Sequence, residues 1–168
     1  KNNDGKLADA LPDAGLYQQF ADAGETIAGL YDAREFSKAM REIMRLADLA
    51  NQYIDENKPW LMVKDDDRKA EVPAVCTQAL NCFRALAIYL APVLPEIADK
   101  ARSLFNETSW DWQDAATPLA GVSINKFKPM LGRIDDKQIE AMKAASAEPV
   151  AAAKSPEKAT SPDTETIN

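Results

Sequence analysis

Apolar residues recur along most of the chain at helical rather than alternating spacing. Between Ala14 and Tyr31 they fall at Leu16, Phe20, Ala23, Ile27 and Leu30, which places them on one helix face. A second series, Phe36, Ala39, Met40, Ile43, Leu46, Ala47 and Ala50, predicts a helix from about Ala33 to Glu56. Asp32-Ala-Arg-Glu35 ahead of it has the form of a capping box, in which two side chains satisfy the first backbone donors. Pro59 has no backbone donor and disfavours the α region at Lys58, so this helix should stop near Asn57. A third helix is expected over Val72 to Leu90, with Pro73 in its first turn. Apolar residues cover well over half of its circumference, the pattern of a buried central helix. Ala91-Pro92-Val93-Leu94-Pro95 breaks it and starts a fourth, to about Phe105. A connection this short makes the two helices antiparallel or sharply bent neighbours.

The remaining stretches are less regular. Lys1 to Asp13 is polar with Gly5 and Pro12, and reads as a lead-in rather than a helix. Asn106 to Pro118 holds Trp110-Asp-Trp112, expected as a lid whose tryptophans pack on the bundle. Pro118 to Arg133 carries Gly121, Pro129 and Gly132 and should be irregular, with Phe127 and Leu131 as anchors. Asp135 is placed to cap a last helix over about 136–145, with Ile139 and Met142 on one face. From Ser146 the composition is Ala, Pro, Lys, Glu, Ser and Thr, too polar to offset its own ordering entropy. The expected organisation is therefore an all-α helical bundle over 1–145 and a disordered linker over 146–168.

Composition narrows the chemistry. The chain has 46% apolar residues and only 6 Gly, which favours helix over sheet. No apolar run approaches the ~18 residues of a membrane span, and no signal peptide opens the sequence, so no membrane partner is expected and the cytoplasm is. The sequence does not begin with Met, which suggests a piece of something longer. There is no histidine, so His-based acid–base catalysis, Ser-His and Cys-His nucleophile pairs and most zinc sites are excluded. Cys76 and Cys82, six apart in a helical pattern, lack a ligand spacing and read as buried thiols in a reducing compartment. No catalytic residue and no metal site is expected. The net charge of −7 argues against indiscriminate nucleic-acid binding. Two Lys and four acids lie from Ser146 onward, so the bundle alone carries −5. An RNA reader of this charge must work through a local patch.

One stretch offers such a patch, Ala50 to Lys64. It ends a patterned helix on a Pro59-Trp60 step, with Asn51, Asp55 and Asn57 at the same end. Lys64 follows Trp60 by four residues, on the same side if the chain turns helically there. An aromatic face, polar groups and a cation suit an unstacked nucleobase and its phosphate. The commoner role of a lone Trp is to cap the core. Arg34, Lys38, Arg41 and Arg45 make a cationic stripe on the preceding helix, whose ordinary role is a solvated face paired with Glu35 and Glu42.

Asn51-x-Tyr53-x-Asp55-x-x-x-Pro59-Trp60 resembles the anticodon-reading segment of bacterial methionyl-tRNA synthetases. The stretch from Arg34 to Met44, Tyr89-Leu-Ala-Pro-Val-Leu-Pro95, Ile124-Asn-Lys-Phe-Lys128 and Arg133-Ile-Asp135 resemble the same domain, in order, from about Lys1 to Ala145. The resemblance implies the helical anticodon-binding bundle of a class I synthetase, here without its first helix, and a linker toward an absent tRNA-binding domain. It implies that Trp60 stacks on an anticodon base, Pro59 sets its position, and Asp55, Lys64 and Asn51 surround it. An Asn and an Arg from the missing helix would complete that pocket. The partners implied are the tRNA anticodon loop and the catalytic domain of the same polypeptide, a methionine–tRNA ligase. The resemblance leaves this chain without a cofactor and places ATP, with room for zinc, in the catalytic part. A bundle short of one helix is also expected to self-associate. Two alternatives stay open: the anticodon domain of a sister synthetase for Leu, Ile, Val or Cys, and a helical protein–protein module.

Overall fold

The computed structural model describes residues 5–132 and 134–146, which form helices joined by turns. The chain divides into two units, Lys1–Leu131 and Gly132–Asn168. The first contains α1 (Ala14–Asp32), α2 (Phe36–Asn57), the single turn α3 (Pro59–Met62), α4 (Val72–Leu90) and α5 (Pro95–Leu104). Short 3₁₀ segments span Lys69–Glu71 and Trp112–Ala116. The second unit contains α6 (Asp136–Ser146). Its first turn is closed reciprocally: the Gln138 N–H donates to Asp135 Oδ1 at 2.9 Å, and the Asp135 N–H to Gln138 Oε1 at 3.0 Å. The segment expected to be a disordered linker lies, from residue 147 on, outside the described residues. Among the described residues, the only strand-like pairing is an isolated antiparallel bridge between Lys6 and Ser123.

The core forms where α1, α2 and α4 meet. Phe20 and Ile27 of α1, Ile43 and Leu46 of α2, and Cys82, Ile88 and Tyr89 of α4 are buried together. Each such large side chain contributes about 1.5–3 kcal/mol of transfer free energy. Burial pushes the Tyr17 and Tyr89 phenols up to about 12, so both stay neutral donors. Tyr89 donates to the Phe20 carbonyl at 2.7 Å and Tyr17 to that of Ala115 at 2.9 Å. Gly24 lets the layers close, since a Cβ there would meet the Tyr89 hydroxyl at 3.0 Å. Trp112 packs against Tyr89 and donates its indole N–H to the Gly24 carbonyl at 3.1 Å. The two tryptophans of the lid are thus packing residues, as expected.

Several expectations are corrected. The box at Asp32 to Glu35 does not start α2. Those residues close α1 instead, with Arg34 left-handed at φ 59°. The Glu35 N–H donates to Leu30 O at 2.8 Å and the Arg34 N–H to Tyr31 O at 2.9 Å, the paired bonds of a Schellman ending. Helix α2 begins one turn later, without a side-chain cap. Of the two thiols only Cys82 is buried, its pKa pushed up to about 11 by desolvation, while Cys76 is half-buried. Phe127 and Leu131 do not anchor the irregular segment, being 63% and 77% exposed. Backbone and amide hydrogen bonds hold that segment in their place.

Helix α4 is the buried central helix expected, but part of its buried surface is polar. Thr77, Gln78, Asn81 and Arg84 are almost fully buried along one side. Each partners backbone that no helix satisfies. Thr77 Oγ1 accepts the Ala8 N–H at 2.8 Å, and Gln78 Oε1 accepts the Asp13 N–H at 3.2 Å. Asn81 takes the Leu119 N–H at 2.6 Å and donates to Leu119 O at 2.9 Å. Arg84 forks onto both Glu107 oxygens at 2.7 Å and reaches the Asp114 and Thr117 carbonyls. Burial works against the Arg84 charge, but Glu107 outweighs it and the guanidinium pKa is raised. A buried polar group must be partnered, and the lead-in and the lid supply the partners.

This arrangement predicts an asymmetry between two ion pairs. Glu107→Ala leaves the Arg84 side chain, only 3% exposed, without its counter-charge and should cost about 3–5 kcal/mol. Glu42→Ala removes the half-buried partner of Arg45, which is itself free to reach water, and should cost no more than about 1 kcal/mol. Urea unfolding of the two variants checks this, and equal losses would contradict it.

Candidate nucleic-acid interface

The end of α2 sets the direction of the next turn. The Lys58 N–H closes α2 on the Ile54 carbonyl at 2.8 Å, and Lys58 itself is left-handed at φ 51° and ψ 59°. The proline after it disfavours the right-handed helical region, and the chain reverses its curl at this one residue. Pro59 then occupies the first position of α3, where its missing donor costs nothing. Val63 donates to Pro59 O at 3.1 Å and Lys64 to Leu61 O at 2.9 Å, so Lys64 follows Trp60 by about one helical turn.

Met62 fixes which way that turn faces. It is 1% exposed, in a second apolar cluster with Val72 and Val75, against which Tyr53, Val63 and Cys76 pack. Residues two apart on a helix point about 200° apart. Burying Met62 therefore turns Trp60 outward, and its side chain is 52% exposed. Asn51 and Asp55, four apart on α2, are exposed, as are Lys58 and Lys64, while Pro59 is half-buried. Asn57 is committed locally: its Nδ2 donates to the Tyr53 carbonyl at 2.9 Å. The sequence-predicted residues Asn51, Asp55, Pro59, Trp60 and Lys64 thus occupy one end of the bundle, with Trp60 free to meet a flat partner.

Beside Trp60 runs an apolar groove of about 540 Å³, which the sequence reading missed. Trp60, Val63, Cys76 and Leu80 line one side, and Leu7 and Ile124 complete it. These last two come from segments read only as lead-in and loop. The Leu7 N–H donates to Val122 O at 2.9 Å and the Ile124 N–H to Gly5 O at 2.7 Å. Gly5 is required there, with φ +72° and Ile124 O within 3.1 Å of where a Cβ would stand. Only the Gly5 and Gly121 positions hinted at such pairing.

The cationic stripe of α2 is the solvated, paired face that was its ordinary role, with Arg41 exposed within it. Arg34 lies in the α1–α2 turn, Lys38 pairs with Glu35 at 3.0 Å, and Arg45 with Glu42 at 2.6 Å. The Arg45 bond also holds the Glu42 carboxyl below its usual range. Among the described residues, no group of three His, Cys, Asp or Glu could hold a metal ion, and no helix is long and apolar enough to cross a membrane. At this end an exposed indole is accompanied by exposed Asn51, Asp55, Lys58 and Lys64, side chains suited to binding rather than to catalysis.

A family model described as the anticodon binding domain of methionyl tRNA ligase matches residues 5–148. Among solved structures, the apo form of Mycobacterium tuberculosis methionyl-tRNA synthetase superposes with a TM-score of 0.70 at 24% identity, over 80% of this chain and 29% of that one. The same synthetase in complex with methionyl-adenylate gives 0.70 at 24%, over 79% and 28%. At this identity the likeness establishes the fold, and the chain spans less than a third of those proteins.

Adjacent residues of α3 provide an internal control on the geometry. Trp60→Ala should leave the stability of the domain within about 1 kcal/mol of wild type, because half of the indole is already in water. Met62→Ala, two residues on, should cost about 2–5 kcal/mol. Thermal melting compares them directly, and a larger loss at Trp60 than at Met62 would place the indole in the core.

Proposed function

The chain belongs to the family of anticodon-binding domains of methionyl-tRNA ligases, and from that premise we propose that it reads the anticodon loop of initiator and elongator methionine tRNAs with Trp60 as its stacking platform. The observation that carries this is the outward-facing Trp60, held by the buried Met62 one half-turn away. A base stacked on the indole gains about 1–3 kcal/mol whatever its identity. Selectivity then requires hydrogen bonds to base edges, a role we assign to Asn51 and Asp55, which are exposed on α2. Lys64 supplies a phosphate contact, and Pro59 fixes the approach of the turn. The family match is to the methionyl type, and nothing favours a sister synthetase or a protein–protein module.

The matched family is a binding domain, and the catalytic part of such a ligase lies in another region of the polypeptide. In our reading that polypeptide activates methionine with ATP and transfers it to tRNA in the cytoplasm. Its catalytic part holds ATP, and zinc where zinc is used. Residues 1–145 act as the anticodon-binding domain, and 146–168 act as a linker to a further tRNA-binding module.

Trp60→Ala in the full-length ligase tests the reading. It should lower kcat/KM for tRNA at least tenfold while sparing methionine activation, because the contact is a binding and positioning one far from the chemistry. Normal charging would return Trp60 to a structural role.

We also propose that the bundle self-associates. Phe36 and Met44 on α2 are 53% and 59% exposed and offer an apolar surface. Sedimentation of the chain alone should show a mass that rises with concentration, and a monomer at high concentration would contradict this.

A further inference from the structure

The segment that fails to anchor itself in the core is nonetheless firmly held. At one end, the Asn125 N–H donates to Leu104 O at 2.8 Å, and Asn125 Nδ2 donates to Ser103 O at 2.7 Å. At the other, Lys100 Nζ donates to Met130 O at 2.9 Å. Residues 126–129 therefore form an arch pinned to α5 at both feet. Its crown is Lys126-Phe127-Lys128, with the Phe127 ring 63% exposed between two cations.

Beneath the arch lies a cleft of about 510 Å³, lined by Lys100, Ser103, Asn125, Lys126 and Lys128 among others. No carboxylate lines it among the described residues. The nearby Asp99 on α5 is occupied by Arg102 at 2.8 Å, and Glu96 sits one turn before Lys100. In a chain of net charge −7, three lysines converging on one carboxylate-free cleft are a local exception. The cleft shares no lining residue with the Trp60 groove, but the two border consecutive residues of one segment. Ile124 borders the Trp60 groove, and Asn125, the next residue, borders the basic cleft.

We infer that the Lys126–Lys128 arch is a second RNA contact, in which Phe127 stacks on a nucleotide and Lys126, Lys128 and Lys100 take its phosphates. An exposed aromatic flanked by cations on a rigid support is what single-stranded nucleic acid binds. Because both feet are tied down, binding spends little ordering entropy. The inference rests on the reading of this chain as a tRNA-binding domain, and it extends the contact beyond Trp60.

The test is equilibrium binding of methionine tRNA to the full-length polypeptide that carries this chain, titrated against salt. Lys126→Ala/Lys128→Ala should weaken binding roughly fivefold to tenfold and make the slope of log K against log salt shallower by about 1.5. Phe127→Ala should weaken binding at least fivefold with the melting temperature unchanged, and Phe127→Trp should restore it, about as stacking requires. Trp60→Ala in the same assay keeps the two readings apart. If Trp60→Ala loses affinity while the arch variants match wild type in affinity and slope, the arch inference is overturned and the Trp60 reading stands. If Phe127→Ala leaves RNA binding unchanged but lowers the melting temperature of the whole polypeptide, the arch docks on protein and the inference is likewise overturned. A wild-type protein that binds no methionine tRNA overturns both.

Discussion

The structure depends on α4 being partnered along its polar side. Thr77, Gln78, Asn81 and Arg84 sit where a bundle would ordinarily bury leucines, and each removes a hydrogen-bonding group from water. Leaving one of them unpaired costs about 1–3 kcal/mol, more for the guanidinium. The lead-in at Ala8 and Asp13 and the stretch from Glu107 to Leu119 meet that demand. They are placed by it, although they contain little regular structure of their own. Their placement carries over to function, because the lead-in and the strand-like pairing from Gly121 to Ile124 wall the groove beside Trp60.

The candidate interface follows from a second, local constraint. Pro59 and the left-handed Lys58 reverse the chain after α2, and the burial of Met62 then decides the rotation of a single helical turn. Trp60 faces solvent as the consequence. Neither step needs a partner to be present, so the indole is presented in advance, and the proposed RNA contact would require little ordering.

The helices were legible because their apolar periodicity is strong: α1, α4 and α6 match their expected spans closely, and α2 ends at Asn57 as Pro59 requires. The capping box was misread because Asp32 to Glu35 serve the end of one helix before the start of the next, and both roles use the same residue types. The polar side of α4 was invisible for a different reason. Thr, Gln, Asn and Arg in a helix ordinarily mark its solvated face, and only the loops folded over them reverse that. Phe127 and Leu131 look like anchors in the sequence, whereas the bonds at Asn125 and Lys100 hold their segment. At the candidate interface the residues Asn51, Asp55, Pro59, Trp60 and Lys64 were named from sequence. The contribution of Leu7 and Ile124 was not, since backbone pairing between residues more than a hundred apart leaves almost no local signature.

The three tryptophans provide the most direct test of the central claim, that Trp60 is the surface that meets RNA. Each contributes one indole N–H signal to a heteronuclear NMR spectrum. Those of Trp110 and Trp112 are bonded to Glu107 and to the Gly24 carbonyl, inside the fold. On titration with a stem-loop bearing the methionine anticodon, the Trp60 signal should shift progressively while the other two stay in place. A stem-loop that binds while the Trp60 signal remains still would contradict the account.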